Sequence, residues 1–335
     1  MLKNPFVTSG YDGPEYFCDR EEETAKLVRL LTNGNDVVLM SPRRMGKTGL
    51  LYHTFQQEEI ANAYHTFIID IYSTKNLNEL VAEMGKVMLN IPIQNPDTTL
   101  DQIFDYIKQS EKPCLVAIDE FQQIAHYPEK NVEAILRTYI QHCSNANFVF
   151  SGSERHLLAE MFSSPARPFF ASTSTLNLEC IDPIKYDAFA KAHFEKAGKH
   201  LEAGVVEAIY NRFEGVTWYV QKVLNHLFAE TDAGEWCKME MIDVAVDEIV
   251  KDNGEIYADL LYQLTAKQKE LLLAIDMEGK AKTIMGSKFI KTHHLAAASS
   301  IQTAIKSLMD KQLVVFHLGE YEIYDKFFGI WLSRL

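Results

Sequence analysis

The amino-acid sequence predicts an α/β fold: a parallel sheet flanked by helices, then a helical segment and a small helix-and-hairpin domain. Three observations predict it. Short apolar runs alternate with helical patterns as far as residue 181, the pattern is all-helical after Pro183, and a hairpin signal lies near the C-terminus. Strands that alternate with helices are typical of a parallel sheet covered on both faces.

The predicted strands are short apolar runs. The first, "DVVLM", follows the turn-like residues "TNGN", which is typical of a buried strand that begins after a tight turn. The five candidates are residues 36–40, 64–72, 113–120, 147–153 and 174–181. Helical patterns between them span residues 48–59, 76–90, 97–110 and 131–143.

The C-terminal half reads as helices followed by a hairpin. Helical periodicity recurs at residues 185–198, 203–213, 216–230 and 238–252, and "DNGE" at 252–255 is typical of a boundary. Helices near 265–276 and 297–310 precede two alternating stretches, 313–318 and 321–325, which Gly319-Glu320 joins. Alternation interrupted by a glycine turn predicts a β-hairpin. This order of elements is that of a winged helix-turn-helix.

Composition narrows the class of protein. The chain has 335 residues, of which 47% are apolar, enough for two or three domains. It has no apolar run of about 18 residues, and its five cysteines are scattered without CxxC spacing. We therefore expect a cytoplasmic protein with reduced thiols, no structural zinc and no membrane partner. The net charge of −13 argues against a general nucleic-acid coat, but residues 256–335 hold ten Lys and Arg against eight Asp and Glu.

The stretch "SPRRMGKT", residues 41–48, lies between a predicted strand and a predicted helix. In a phosphate-binding loop, backbone N–H groups wrap the phosphates, a lysine reaches the β- and γ-phosphates, and the next hydroxyl binds Mg²⁺. Gly46, Lys47 and Thr48 are in register for these roles, and Ser41 stands where the first glycine is usual. The strand and helix on either side disfavour a fortuitous Gly-Lys-Thr. The candidate nucleotide-binding residues of the loop are Ser41, Pro42, Arg43, Arg44, Met45, Gly46, Lys47, Thr48 and Gly49.

Two acids end the third predicted strand, in "CLVAIDEF". Ligands of parallel sheets bind at the carboxyl ends of the strands. Asp119 would hold Mg²⁺ through water, and Glu120 would polarise the attacking water. The alternative, a strand that ends in solvated acids, is disfavoured by the presence of Lys47 and Thr48 in the same chain.

Polar residues also end the fourth predicted strand, in "FVFSGSER". Ser151 or Ser153 could sense the γ-phosphate or position the water. A serine at a strand end is also a common helix N-cap, and Ser153 before Glu154-Arg155 fits that role equally well.

Four stretches carry a family resemblance: residues 16–31, 39–51, 114–124 and 148–170. They resemble the archaeal-type ATPases of the AAA+/STAND group of P-loop proteins, and residues 313–332 resemble the end of that family's winged helix. The resemblance implies a P-loop NTPase (AAA+-like) fold with a P-loop ATPase core at 1–183, a helical lid at 184–254 and a winged-helix domain at 255–335. In such proteins "SPRRxGKT" is a known form of the loop, so Ser41 does not indicate a dead site.

The resemblance also implies roles outside the loop. Phe17, Asp19 and Arg20 match an entry motif that passes the adenine base, although Asp19 with Glu22 also predicts a capping box for a helix that begins at Arg20. Trp218 stands at the proline position of a lid motif that touches adenine or ribose, within a segment whose helical spacing favours a core role. Arg167, in "SSPARPFF", is the preferred arginine finger.

The winged helix leaves two interpretations open. Residues 280–311 carry one acid, Asp310, against six lysines, namely Lys280, Lys282, Lys288, Lys291, Lys306 and Lys311. Such a face could bind DNA phosphates. The helix is nevertheless poor in arginine, and Glu320 and Glu322 on the hairpin would repel phosphate, which favours an intramolecular role or a protein partner.

The sequence therefore predicts an ATP-binding molecular switch that hydrolyses ATP to ADP slowly with Mg²⁺. Its nucleotide state would be coupled to the winged helix, and an unidentified protein partner is expected. The alternatives are a DNA-binding regulator in which nucleotide is mainly structural, and a defence- or toxin-linked scaffold that assembles on ATP.

Overall fold

The computed structural model describes residues 3–91 and 99–335. Five parallel strands form the central sheet in the order β2-β3-β4-β1-β5. They are β1 (Val37–Met40), β2 (His65–Asp70), β3 (Cys114–Asp119), β4 (Ala146–Gly152) and β5 (Ser174–Asn177). Four of them lie within the predicted strands and β4 begins one residue before its predicted range, so the parallel sheet is confirmed. The order places β1 directly beside β4, with β3 as the next strand, which brings the three polar strand ends together.

The two faces of the sheet are both buried, which explains why its central strands are continuously apolar. Successive side chains of a strand point to opposite faces. Val38 and Met40 of β1 accordingly join one core cluster, while Val37 and Leu39 join another. The whole of β3 is buried in the same two-sided manner.

Helices connect the strands within the first compact unit of the chain, Met1–Trp236. They are α1 (Glu21–Thr32), α2 (Lys47–Phe55), α3 (Glu58–Ala61), α4 (Leu77–Leu89), α5 (Leu100–Gln109), α6 (Val132–Gln141), α7 (Arg155–Ser163), α8 (Pro183–Lys196), α9 (Val205–Arg212) and α10 (Thr217–Glu230). The short strand β6 (His200–Leu201) lies between α8 and α9 in sequence, and β7 (Trp236–Cys237) begins at the last residue of the unit. The predicted start of the 97–110 helix lies partly outside the described residues. The side chain of Thr99 caps α5 in a reciprocal box with Gln102.

The second compact unit spans Cys237–Leu335. Its elements are α11 (Met241–Asp252), α12 (Gly254–Tyr262), α13 (Ala266–Glu278), α14 (Ser287–Thr292), α15 (Ala298–Asp310), β8 (Val314–His317), β9 (Glu320–Ile323) and α16 (Lys326–Leu332). Strands β8 and β9 are antiparallel, and Ala281 adds a bridge to Tyr321. Helices α13, α14 and α15 and the hairpin follow the order of the predicted winged helix. The division of the chain into an ATPase core, a lid and a winged-helix domain, at 183/184 and 254/255, stays a prediction.

Two local predictions are wrong. The hairpin turns at Leu318-Gly319, both with positive φ, rather than at Gly319-Glu320. Helix α1 begins at Glu21, and its N-cap, Arg20, is in the left-handed region without a side-chain cap. Asp19 instead accepts a hydrogen bond from Lys185 at 2.7 Å, so an ion pair distant in sequence replaces the predicted capping box.

Candidate nucleotide site

The loop between β1 and α2 presents a helix N-terminus at the carboxyl edge of the sheet. Gly46 is its N-cap at φ 90°, a left-handed conformation that suits glycine, and no side chain caps the helix. The first N–H groups of a helix lack partners within the helix and attract anions. Lys47, the first residue of α2, is nearly buried, and the Ser41 hydroxyl donates to the oxygen of Pro42 at 2.8 Å.

Asp119 joins this loop to the neighbouring strand. Its Oδ2 accepts a hydrogen bond from Thr48 Oγ1 at 2.6 Å, and its Oδ1 accepts one from Ser151 Oγ at 2.5 Å. Asp119 ends β3 and Ser151 lies on β4, so the strand order positions the three oxygen groups. The structure thus brings together residues that are 71 and 32 positions apart in sequence.

Glu120 is held by several side chains. Its Oε2 accepts hydrogen bonds from Ser153 Oγ at 2.7 Å and Gln122 Nε2 at 2.5 Å, and Lys47 Nζ lies 3.8 Å from Oε1. The residue has φ 56°, which is uncommon for a non-glycine residue and often occurs at functional sites. Ser153 is not the N-cap of α7, since that position is Glu154. The alternative of a helix-capping serine is therefore wrong.

Two residues that sequence reasoning missed support this arrangement. A Cβ atom on Gly152 would lie 1.9 Å from Gln122 Oε1, so only glycine leaves room for the glutamine that binds Glu120. Asp70, at the end of β2, pairs in register with Asp119. Partial desolvation, followed by the charges of Asp119 and Glu120, raises the pKa of Asp70. In the sequence, the signal for Asp70 was its position as an acid at the end of a strand, β2.

The two arginines of the loop have different partners. Arg43 Nε donates to Ser153 Oγ at 3.1 Å, and its guanidinium lies 5.8 Å from the Tyr72 ring centre. Ser153 therefore links Arg43 to Glu120, because its hydroxyl accepts from Arg43 and donates to Glu120.

Arg44 connects the loop to α10. Its guanidinium carbon lies 4.3 Å from the ring centre of Trp218 and 5.0 Å from that of Tyr219, whose hydroxyl it also hydrogen-bonds. The backbone oxygen of Arg44 accepts from the nitrogen of Trp218 at 3.0 Å, and Met45 O accepts from Thr217 Oγ1 at 3.5 Å. The start of α10 is thus bonded to the backbone of the loop.

A cavity of about 100 Å³ lies beside the loop, between the N-terminal segment and α10. Phe17 forms part of its wall, stacks on His53 at 4.5 Å and packs so closely on Gly49 that a Cβ there would lie 3.2 Å from its ring. Arg20 also lines the cavity. It is nearly buried and is held by Glu23 at 2.6 Å and by the oxygen of Glu179 at 2.7 Å.

Arg167 is engaged by acids of its own chain. Its guanidinium forms ion pairs with Glu133 and with Glu160, the latter at 3.2 Å. Burial raises the pKa of Glu133, and the charge of Arg167 opposes that rise. The role of Arg167 as an arginine finger stays a prediction.

Two further observations concern membrane-spanning helices and metal-binding groups. In residues 3–91 and 99–335, no helix combines the length and the apolarity needed to cross a bilayer. The same residues contain no group of three or more His, Cys, Asp or Glu side chains that could hold a metal.

Comparison with protein families gives two matches. A family model described as an ATPase domain predominantly from Archaea matches residues 17–223. A second, described as a probable winged helix domain, matches residues 255–334. No curated protein matches the chain.

Solved structures with the same fold are distant in sequence. A Walker-type ATPase of Pyrococcus abyssi is 15% identical, with a TM-score of 0.71 over 98% of this chain and 99% of its own. The ORC2 protein of Aeropyrum pernix, solved in ADPNP-ADP complexes, is 14% identical, with a TM-score of 0.64 over 99% and 98%. The ORC1 protein of Aeropyrum pernix, solved in complex with DNA, is 13% identical, with a TM-score of 0.61 over 96% and 94%. These likenesses confirm the predicted fold.

Proposed function

Because the chain belongs to the family of ATPase domains found predominantly in Archaea, we propose that it binds ATP and hydrolyses it slowly with Mg²⁺, as a nucleotide-dependent switch of the AAA+/STAND type. One observation carries the proposal. Lys47 and Thr48 are the first two residues of α2, whose N-terminus has no side-chain cap. Asp119 accepts a hydrogen bond from Thr48, and Glu120 lies within ion-pair distance of Lys47. Phosphate recognition and water activation therefore have residues at one edge of the sheet.

The oxygen groups of the site fit magnesium. Mg²⁺ prefers hard oxygen ligands and is usually held by one or two protein oxygens together with waters and substrate phosphates. Thr48 Oγ1 and Asp119 Oδ2 are two such oxygens. Their hydrogen bond of 2.6 Å places them side by side, where both would face the same ion. Bound Mg²⁺ would supply neutralisation of the charge that develops on the transferred phosphoryl group. Ser151 would position Asp119 through its 2.5 Å hydrogen bond.

The catalytic roles follow from the same contacts. Lys47 would bind the β- and γ-phosphates, with the backbone N–H groups of the loop from Ser41 to Gly49, other than Pro42, around it. Glu120 would orient the attacking water and draw off its proton. Ser153 and Gln122 already bind one oxygen of Glu120, so they would fix the direction of the other. Turnover would be slow unless an arginine, with Arg167 as our candidate, stabilises the transition-state charge.

The proposed role of residues 184–254 as a lid depends on α10. Its first residues are bonded to the backbone of Arg44 and Met45. A change in the loop on phosphate binding or release would therefore move the start of α10. We propose that this displacement is the first step by which nucleotide state reaches the winged-helix domain and an unidentified protein partner.

A DNA-binding regulator is the second candidate, favoured by the lysines of the winged helix. All six lysines between 280 and 311 are exposed, and so are Gln302 and Thr303 on α15. Lys282 pairs with Glu320 of the hairpin at 2.9 Å, which reduces the repulsion expected from that acid. The lysines of α14 and α15 could neutralise DNA phosphates.

The proposal is tested by comparing the unmodified chain with Lys47→Ala and with Lys26→Ala, which removes an exposed lysine of α1. Nucleotide binding by isothermal calorimetry and phosphate release from ATP are measured with Mg²⁺ and with a chelator. We expect Mg²⁺-dependent phosphate release by the unmodified chain and Lys26→Ala, and loss of binding in Lys47→Ala. Full ATPase activity in Lys47→Ala would overturn the proposal.

A further inference from the structure

The cavity beside the phosphate loop has a wall suited to a flat aromatic ligand. The rings of Phe17 and His53 stack at 4.5 Å, and Tyr11 packs edge-on against Phe17 at 5.7 Å between ring centres. Tyr11, Phe17 and Gly49 all line the cavity, and Phe17 packs closely on Gly49. Aromatic faces of this kind favour a stacked ring. The cavity therefore suits the base of a nucleotide whose phosphates lie in the adjacent loop.

One polar side chain in this wall is unsatisfied. Gln221 of α10 lines the cavity and is 6% exposed. Its Oε1 is shielded from solvent and has no hydrogen-bond partner among the described residues. A buried acceptor without a partner is unfavourable and calls for a specific explanation.

Tyr186 is a neighbour of the Gln221 amide. The Tyr186 hydroxyl donates to the oxygen of Thr217 at 3.4 Å, so its own oxygen remains able to accept. Burial raises the pKa of the Tyr186 phenol well above its usual range, and a side-chain hydrogen bond with Gln221 opposes that rise. The Gln221 oxygen has no partner among the described residues, so it is the group left for a ligand.

We propose that Gln221 selects adenine over guanine nucleotides, with its Oε1 accepting a hydrogen bond from the exocyclic amine of adenine. The inference rests on the proposed function. The last torsion of a glutamine is soft, so a small rotation turns the oxygen toward a base in the cavity. Glutamine amides pair with adenine because the amine is a donor, whereas guanine carries an oxygen acceptor at the same carbon.

The test uses ATP, GTP and purine riboside triphosphate, which is ATP without the amine, bound to the full chain in the presence of Mg²⁺. We expect the unmodified protein to bind ATP about tenfold or more tightly than purine riboside triphosphate, the effect of one hydrogen bond that satisfies a buried group. Equal affinities for the two would overturn the inference without any variant.

The same ratio is then measured in Gln221→Leu, which keeps the volume and removes both polar ends. Gln141→Leu, at an exposed position that ends α6, is the matched control. We expect the preference for the amine to fall to near unity in Gln221→Leu and to persist in Gln141→Leu. A preference that persists in Gln221→Leu overturns the inference and leaves the proposed function intact. Absence of any nucleotide binding by the unmodified chain overturns both.

Discussion

The guanidinium carbon of Arg44 lies 4.3 Å from the ring centre of Trp218, and the backbone oxygen of Arg44 accepts a hydrogen bond from the nitrogen of Trp218 at 3.0 Å. A stack and a backbone bond thus join the phosphate loop to α10 at a single residue. Arg44 has φ 67°, so the connection is made from a conformation that non-glycine residues seldom adopt.

We expect Arg44→Lys to accelerate nucleotide release. Lysine keeps the charge and the demand on the backbone but loses the planar guanidinium that stacks on Trp218 and bonds Tyr219. A cation–π contact contributes about 1 kcal/mol, so release of fluorescent ADP in stopped-flow experiments should be about fivefold faster. Arg29→Lys, at an exposed position of α1, is the control. Unchanged release in Arg44→Lys would show that the stack does not restrain the loop.

Glu120→Gln should separate binding from hydrolysis. The amide keeps the size of the side chain and loses the base, and general-base catalysis contributes about 10²–10⁴ in rate. We expect ATP affinity within about threefold of the unmodified value and phosphate release reduced at least about a hundredfold. Turnover that survives the substitution would assign the base to another group.

Ser153→Ala tests the connection from Arg43 to Glu120. The hydroxyl accepts from Arg43 and donates to Glu120 Oε2, so its loss frees the carboxylate from one of its restraints. We expect turnover to fall by about tenfold or more, the effect of one hydrogen bond to a charged group, with little change in ATP affinity. Ser163→Ala, at the exposed end of α7, should leave both unchanged.

Gly152→Ala should lower both stability and turnover. The new Cβ would lie 1.9 Å from Gln122 Oε1 and 2.9 Å from Leu158 Cδ1, so the glutamine must leave its place against Glu120. Overpacking of this kind costs about 1–3 kcal/mol, visible as a lower midpoint of thermal unfolding. Gly254→Ala, whose Cβ would meet its nearest neighbour at 3.8 Å, is the control. Equal midpoints for the two variants would contradict the prediction.

The DNA alternative makes a prediction about salt. If the winged helix binds DNA, charge reversal at Lys288, Lys291 and Lys306 should weaken binding and reduce the slope of log affinity against log salt by about three. A triple reversal at Lys26, Lys108 and Lys130, all exposed in the first unit, keeps the same net charge as a control. Equal gel-shift affinities for the two triple variants would exclude this lysine face.

The sequence predicted those parts of the site that depend on local pattern. The sheet, the loop before α2 and the meeting of Thr48 with Asp119 follow from strand ends that share one edge of a parallel sheet. The stack of Arg44 on Trp218 was not predictable in this way, because the two residues are 174 positions apart and the contact depends on how α10 packs. The left-handed φ of Glu120 has no signal in the local pattern, and the close approach of Gln122 to Gly152 is a contact between residues distant in sequence. The wrong capping box at Asp19 has the same origin, a long-range ion pair with Lys185.

Helix α10 carries, within a little more than one turn, both the residues that bond the phosphate loop and the glutamine in the wall of the cavity. A helix turn is stiff, so Thr217, Trp218 and Gln221 cannot shift independently of one another. The helix would therefore respond fully only when the base and the phosphates are bound together. A free base or a bare triphosphate would engage one end of this turn, and only a molecule that carries both parts, held at the right separation, would engage it whole.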